Sequence, residues 1–218
     1  MNRRIESDLA KLKVDMLAAL RLAQTSVDRA LASVFARDAA AADEVIADDA
    51  TLDAMECALD AEILRLLALH QPVAGDLRYI LGCMRAVGDI ERIGDQSVNI
   101  AERGLLLLER QPAPPSPGLT TLAETTREYL VRATVCFMDL NLELARRMCL
   151  ESDDILALNE AILKEMTTYM LEEARPAERA VQLCFIAHGL KRVCDQCTNI
   201  AESVIFIREG ACSRHRPG

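Results

Sequence analysis

Apolar residues recur along this chain at three- and four-residue intervals, the spacing of one buried face of an α-helix. The same stretches are rich in Ala, Leu, Arg and Glu, all good helix formers. The main interruption is Gln-Pro-Ala-Pro-Pro-Ser-Pro-Gly at 111–118, which holds four of the seven prolines. Proline cannot continue a helix, so this stretch reads as a linker. Weaker breaks fall near Asp38, at 71–75, near 139–141 and at Arg175-Pro176. The pattern predicts six helices, at 4–37, 39–70, 76–110, 119–138, 141–174 and 176–209. Three long helices with short connections fold up, down and up. The expected fold is all-α: a first three-helix bundle over 1–110, the linker, a second bundle over 119–210, and a tail over 211–218.

The halves are related in sequence. Glu-Arg-Ile-Gly-Asp-Gln-Ser-Val-Asn-Ile-Ala-Glu at 91–102 matches Lys-Arg-Val-Cys-Asp-Gln-Cys-Thr-Asn-Ile-Ala-Glu at 191–202, an offset of 100. A second stretch, 45–55, aligns with 148–158 at an offset of 103. Self-similarity at a fixed distance is the signature of a duplicated unit. The tandem bundles are therefore expected to resemble each other.

The third helix carries an unusual face. On a helical wheel Ile80, Met84, Val87, Val98 and Leu105 lie around Glu91. Asp95 and Glu102 share that side, with Asn99 at its edge. On the second helix Val45, Leu52, Ile63 and Leu66 surround Asp49, with Asp53, Glu56 and Asp60 among them. Like charges four residues apart, such as Asp49/Asp53 and Glu91/Asp95, destabilise a helix by about a few tenths of a kcal/mol. Burying unpaired carboxylates costs about several kcal/mol each. Protonation, Arg or Lys partners, or a bound cation must offset this. Two acidic pairs on adjacent helices would build an oxygen-rich site suited to Mg²⁺, Mn²⁺, Fe or Zn²⁺. The three histidines, His70, His188 and His215, form no Glu-x-x-His, which argues against a ferritin-like di-iron oxidase. The competing reading makes the acids salt-bridge partners of Arg65, Arg78, Arg85 and Arg92. Gly88 and Gly94 interrupt the third helix, either for close packing or to make room for a metal.

Composition narrows the function. The 218 residues carry 25 Lys+Arg against 34 Asp+Glu, a net charge of −9, which repels nucleic acid. The apolar fraction of 51% excludes a disordered chain. Charges run through the first fifteen residues, so no secretory signal is expected there. No apolar run approaches the roughly 18 residues of a membrane span. A cytoplasmic protein without a transmembrane segment is expected. The eight cysteines are scattered, and Cys194/Cys197 is read as a buried thiol pair on a helix, since no second pair follows at zinc-ribbon spacing. The Arg208, Arg214 and Arg216 end reads as a frayed tail.

The residues at 66–78 (Leu-Leu-Ala-Leu-His-Gln-Pro-Val-Ala-Gly-Asp-Leu-Arg), the segment 89–102 and its second copy at 191–202 resemble the PhoU family over nearly the whole chain. That resemblance implies a cytoplasmic, often dimeric regulator, at the inner membrane only through its partners. It implies multinuclear metal binding, contact with a phosphate transporter's ATPase subunit and with a phosphate-sensing histidine kinase, repression of the phosphate-starvation response, and no enzymatic activity. Carried over by motif, the metal ligands are Asp49, Asp53, Glu91, Asp95 and Asn99, with Glu56 and Glu102 as further or supporting groups. The second half departs from this pattern. Ser152 and Leu156 replace Asp49 and Asp53, and Lys191 replaces Glu91, while Asp195, Asn199 and Glu202 persist as further candidate ligands or supporting groups. Lys191 is expected to pair with Asp195 in place of a metal, which makes the molecule asymmetric. The alternative function is a metal-free helical scaffold. A carboxylate metalloenzyme is a third class, but no nucleophile or general base accompanies the acids.

Overall fold

The computed structural model describes residues 3–110, 116–172 and 177–210. They form α1 (Arg3–Phe35), α2 (Ala39–His70), α3 (Ala74–Leu108), α4 (Pro117–Asp139), α5 (Leu142–Glu172) and α6 (Ala177–Glu209). The helices begin and end where local chemistry dictates. The Asp38 carboxylate accepts from the Ala41 N–H at 3.1 Å and starts α2. Ser116 caps α4 by accepting from the Leu119 N–H at 3.1 Å, and Pro117 occupies the first turn. Helix α4 thus starts inside the stretch read as linker, because Pro costs nothing where its N–H would be unpaired anyway. Residues 111–115 lie outside the described set, as do the break at Arg175-Pro176 and the 211–218 tail. Asp76 lies in the first turn of α3. The cap position is Val73, and Asp76 acts there on the positive end of the helix dipole.

Each bundle packs its three helices against one another, and the bundles meet mainly through α3 against α6. In α1 the buried set Leu12, Met16, Leu20, Val27 and Leu31 follows the helical period and closes on Ile63 and Leu66 of α2 and Ile90 and Ile93 of α3. Leu, Ala and Ile supply most of this interior, and Tyr129 and Phe137 are the aromatic rings buried among the described residues.

The α3–α6 seam is antiparallel. Gly82 lies against Ile207, Asp89 against Asn199, and Gly189 against Ile100. A methyl at Gly82 would sit 2.3 Å from Ile207 Cγ1, so glycine is what lets the two backbones approach. Arginines close the helix ends at the seam. Arg37 donates to the carbonyls of Leu107, Leu108 and Arg110 at the end of α3. Arg78 Nε donates to the Ile207 carbonyl near the end of α6 at 3.0 Å. Two further arginines lie over rings, Arg85 over Phe206 at 4.0 Å and Arg103 over Phe185 at 4.8 Å.

The duplication extends beyond the stretches visible in the sequence. Arg29 of α1 pairs with Asp48 of α2 at 2.6 Å, and Arg132 of α4 pairs with Glu151 of α5 at 2.6 Å. Both residues of the second pair stand at the 103-residue offset from the first. The left-handed residues Arg37 and Leu140, which precede α2 and α5, also share that offset.

Candidate functional site

Helix α3 is buried on two sides, by α1 and α2 and by α6, and this rotates its most buried arc away from Glu91. That arc runs through Cys83, Ala86, Ile90, Ile93, Ser97 and Ile100. The stripe centred on Glu91 is therefore its rim. Ile80 and Val87 are buried as expected, but Met84 is 42% exposed. The acids lie along this rim. Asp49, Glu56, Asp60 and Glu91 are half-buried, while Asp53, Asp95, Asn99 and Glu102 are exposed. Rim placement resolves the conflict with burial cost, since water still reaches each group.

Asp49 is brought to α3 by Gly94. Leu52 fills the space that a side chain there would occupy, with its Cδ2 only 2.3 Å from the position of a Cβ, and Asp49 Oδ1 is 3.9 Å from the same point. Close packing and proximity of the acid to Asp95 thus have one cause. Glu56 and Glu91 flank a tight crevice walled by Ala19, Leu52 and Ile90, too narrow to enclose a water molecule between them.

Burial and mutual repulsion dominate the electrostatics of the cluster, and Arg92 offsets them only in part. Burial, then the neighbouring Asp53 and Asp95, hold the Asp49 carboxyl above its usual range. Burial, Asp60 and Asp53 do the same for Glu56, with Arg92 acting in the opposite sense. Glu91 is pushed up to about 7 by burial first, then by Asp95 and Glu56. Among the described residues none of Asp49, Asp53, Glu56, Glu91 or Asp95 forms an ion pair. Of the four candidate arginine partners, Arg65 pairs with Asp8 and Glu62, and Arg92 pairs with Asp89. Arg78 and Arg85 engage the carbonyl and ring described above.

Asn99 donates from Nδ2 to the Asp95 carbonyl at 2.9 Å, which holds its amide on α3 beside the acids. Among the described residues, no three His, Cys, Asp or Glu side chains are gathered closely enough to hold a metal ion as they stand. In donor chemistry the cluster fits a hard or borderline cation: carboxylate oxygens, no competing cation in contact, and raised affinity for positive charge. An ion would draw Asp49, Asp53, Glu91 and Asp95 inward and supply the missing counter-charge.

The corresponding place in the second bundle is neutralised from within. Lys191 Nζ donates to Asp195 Oδ2 at 2.7 Å, the pairing expected from the sequence. Ser152 Oγ donates to the Cys149 carbonyl of its own helix, and Leu156 is 42% exposed. Asn159, in the place of Glu56, is buried, and its Oδ1 has no hydrogen-bond partner among the described residues. Glu202 lies near Cys149, whose thiol is pushed up to about 11 by burial and by that carboxylate. Asn199 donates from Nδ2 to Asp89 Oδ1 at 3.1 Å and to Gln196 Oε1 at 3.2 Å, so it spans the seam between the bundles. Its first-half counterpart Asn99 does not. Cys194 and Cys197 are free and buried, with Cys194 directed at Thr126 Oγ1.

The sequence reading did not single out Asp89, the acid that is buried among the described residues. Its partner Asn199 lies 110 residues away, and the equivalent position in the second half is Gly189. Internal comparison therefore gives no sign of it.

The chain matches the PhoU domain model twice, over residues 17–104 and 119–204. It is 32% identical over 209 residues to the phosphate-specific transport system accessory protein PhoU homolog of Aquifex aeolicus, covering 96% of this chain and 95% of that protein. It is 27% identical over 212 residues to the phosphate-specific transport system accessory protein PhoU of Edwardsiella tarda, covering 97% and 87%. The crystal structure of PhoU from Pseudomonas aeruginosa superposes with a TM-score of 0.91 at 28% identity, over 94% of this chain and 99% of that one. A Streptococcus pneumoniae PhoU structure shares the fold, with a TM-score of 0.90 at 23% identity, over 97% and 100%. Among the described residues no helix is long and apolar enough to cross a membrane. Two matched domains over most of the chain, on duplicated three-helix bundles, make this protein a member of the PhoU family.

Proposed function

We propose that this protein is a cytoplasmic regulator of phosphate uptake; its relatives are named phosphate-specific transport system accessory proteins. In this reading it couples a phosphate transporter's ATPase subunit to a phosphate-sensing histidine kinase. It thereby restrains the starvation response, acts as a homodimer, and has no catalytic activity of its own. Its ion-responsive element is the α2–α3 rim, with Asp49, Asp53, Glu91, Asp95 and Asn99 as ligands to Fe, Mn, Mg or Zn. Glu56 and Glu102 support that set, and Asp195, Asn199 and Glu202 belong to the neutralised counterpart. The observation that carries the metal assignment is the contrast between bundles: five acids that form no ion pair among the described residues in one, and a Lys191–Asp195 pair in the other. When bound, the ion supplies positive charge to a face that otherwise repels itself, and so locks α2 to α3.

A second reading, the metal-free scaffold, draws support from the lack of a preformed ion cage among the described residues. Elemental analysis of protein purified without chelators, beside a Glu91→Gln/Asp95→Asn variant, separates the two. Metal in the wild type and its loss in the variant are expected. Equal metal content would remove the ligand assignment. Co-purification with the transporter ATPase and the sensor kinase tests the regulatory role, and absence of both from the complex would overturn it.

A further inference from the structure

An open cleft of about 500 Å³ lies at the end of the molecule where α1, the start of α3, the α4–α5 turn and the end of α6 converge. No carboxylate of the α2–α3 rim contributes to it. Its walls are largely apolar: Leu9, Tyr79, Met138, Leu140 and Ile207. Lys13, Arg78 and Arg208 also line it, against the single carboxylate of Asp76. Among the described residues none of these three cations forms an ion pair, in a chain of net charge −9. The first turn of α3 adds the positive end of a helix dipole.

The opposite end of the seam carries a second cleft, of about 410 Å³, whose lining charges balance, Arg110 and Arg179 against Glu109 and Glu178. There the register places Glu178 where this end has Arg78, and Glu178 pairs with Arg110. Of these two clefts the first has the excess of cations, Lys13, Arg78 and Arg208 against Asp76, with Arg78 held by the Ile207 carbonyl and not by an acid. The occupant must therefore bring both negative charge and apolar groups. The chain's own continuation beyond Gly210 carries Arg214, His215 and Arg216, which is the wrong sign. A cleft of this size admits a few side chains, not the broad face of a second bundle.

We propose that this cleft binds a short acidic segment with apolar anchors, presented by a partner protein. The test is a phage-displayed library of random 15-residue peptides, selected on the full chain and counter-screened on Lys13→Glu/Arg208→Glu. Both residues are exposed, so the variant should fold, and far-UV circular dichroism and thermal melting check this. Lys13→Gln/Arg208→Gln serves if the reversal does not fold. A variant with the same charge change elsewhere, Arg147→Glu/Lys164→Glu on α5, controls for net charge. The expected result is recovery of peptides rich in Asp or Glu and in Leu, Ile, Phe or Met. By fluorescence anisotropy these should weaken about tenfold or more on the cleft variant and little on the control. Recovery of basic or uncharged peptides, equal weakening on both variants, or no recovered peptide would overturn the proposal. So would a dimer, seen by sedimentation velocity, that dissociates in the cleft variant, because a second copy would then fill the site.

Discussion

Glu91 offers the sharpest test of the acidic rim, because its carboxyl should make the protein less stable as pH rises. Its pKa is pushed from 4.5 to about 7 by burial, Asp95 and Glu56. The folded state then holds a proton that the unfolded chain has already released. Its contribution is fully present below about 4.5 and is lost as pH climbs through about 7. Taken at face value the shift is worth at most about 3 kcal/mol. The side chain is only half-buried, and water screens it, so about 1 kcal/mol is the expected loss. In a chain of this length that corresponds to roughly 2–4 °C in Tm. The assay is thermal or urea unfolding of metal-stripped protein from pH 4.5 to 8, for wild type and Glu91→Gln. The variant should lack this component and be the more stable of the two at pH 8. Added Mn²⁺ should then raise the wild-type Tm more than that of the variant, because a cation replaces the missing proton. A wild-type-minus-variant difference that is flat across this range, or that favours the wild type as pH rises, would refute the electrostatic account.

Gly104→Ala should destabilise by about 1–2 kcal/mol despite its better helix propensity, because its Cβ would meet Ser33 Oγ at 2.3 Å and Ser33 backbone at 3.3 Å, which urea unfolding measures. Asp89→Ala should cost about 1–3 kcal/mol, and Asp89→Asn less, since the first removes the bond to Asn199 across the seam and the second keeps the shape; the urea midpoints decide. Lys191→Glu should lose under about 1 kcal/mol by setting two carboxylates four residues apart on a partly exposed face, a loss that shrinks at high salt. The same variant should gain no second metal equivalent by elemental analysis, because Ser152 and Leu156 supply no carboxylates.

The helices were legible because good helix formers run between clear breaks, and because Asp38 and the 111–118 prolines mark two of those breaks. The asymmetry between bundles was legible too, since Lys191 stands in register with Glu91 and four residues from Asp195. The depth of the acids was not. A wheel assigns one buried face per helix, whereas α3 has two, so Met84 and Asp95 turn outward while Ile90 and Ser97 turn in. Nor could identical residues be told apart by register. Asn99 and Asn199 share a motif, yet one serves its own helix and the other crosses to Asp89. The difference lies in what each helix meets, which arises only when distant segments pack. The repeated Arg29–Asp48 and Arg132–Glu151 pairs were hidden for a similar reason, because the flanking residues of α1 and α4 have diverged while the paired charges have not.

The antiparallel α3–α6 seam carries a consequence for how the chain comes apart. Each central helix completes its own bundle and also shields its counterpart, so neither half presents a finished surface alone. Cutting the backbone anywhere within 111–115 should therefore yield two fragments that stay together and melt as one unit. A duplicated protein of this design behaves as an intramolecular dimer, whose covalent tether sets the concentration of one half about the other rather than the strength of their grip.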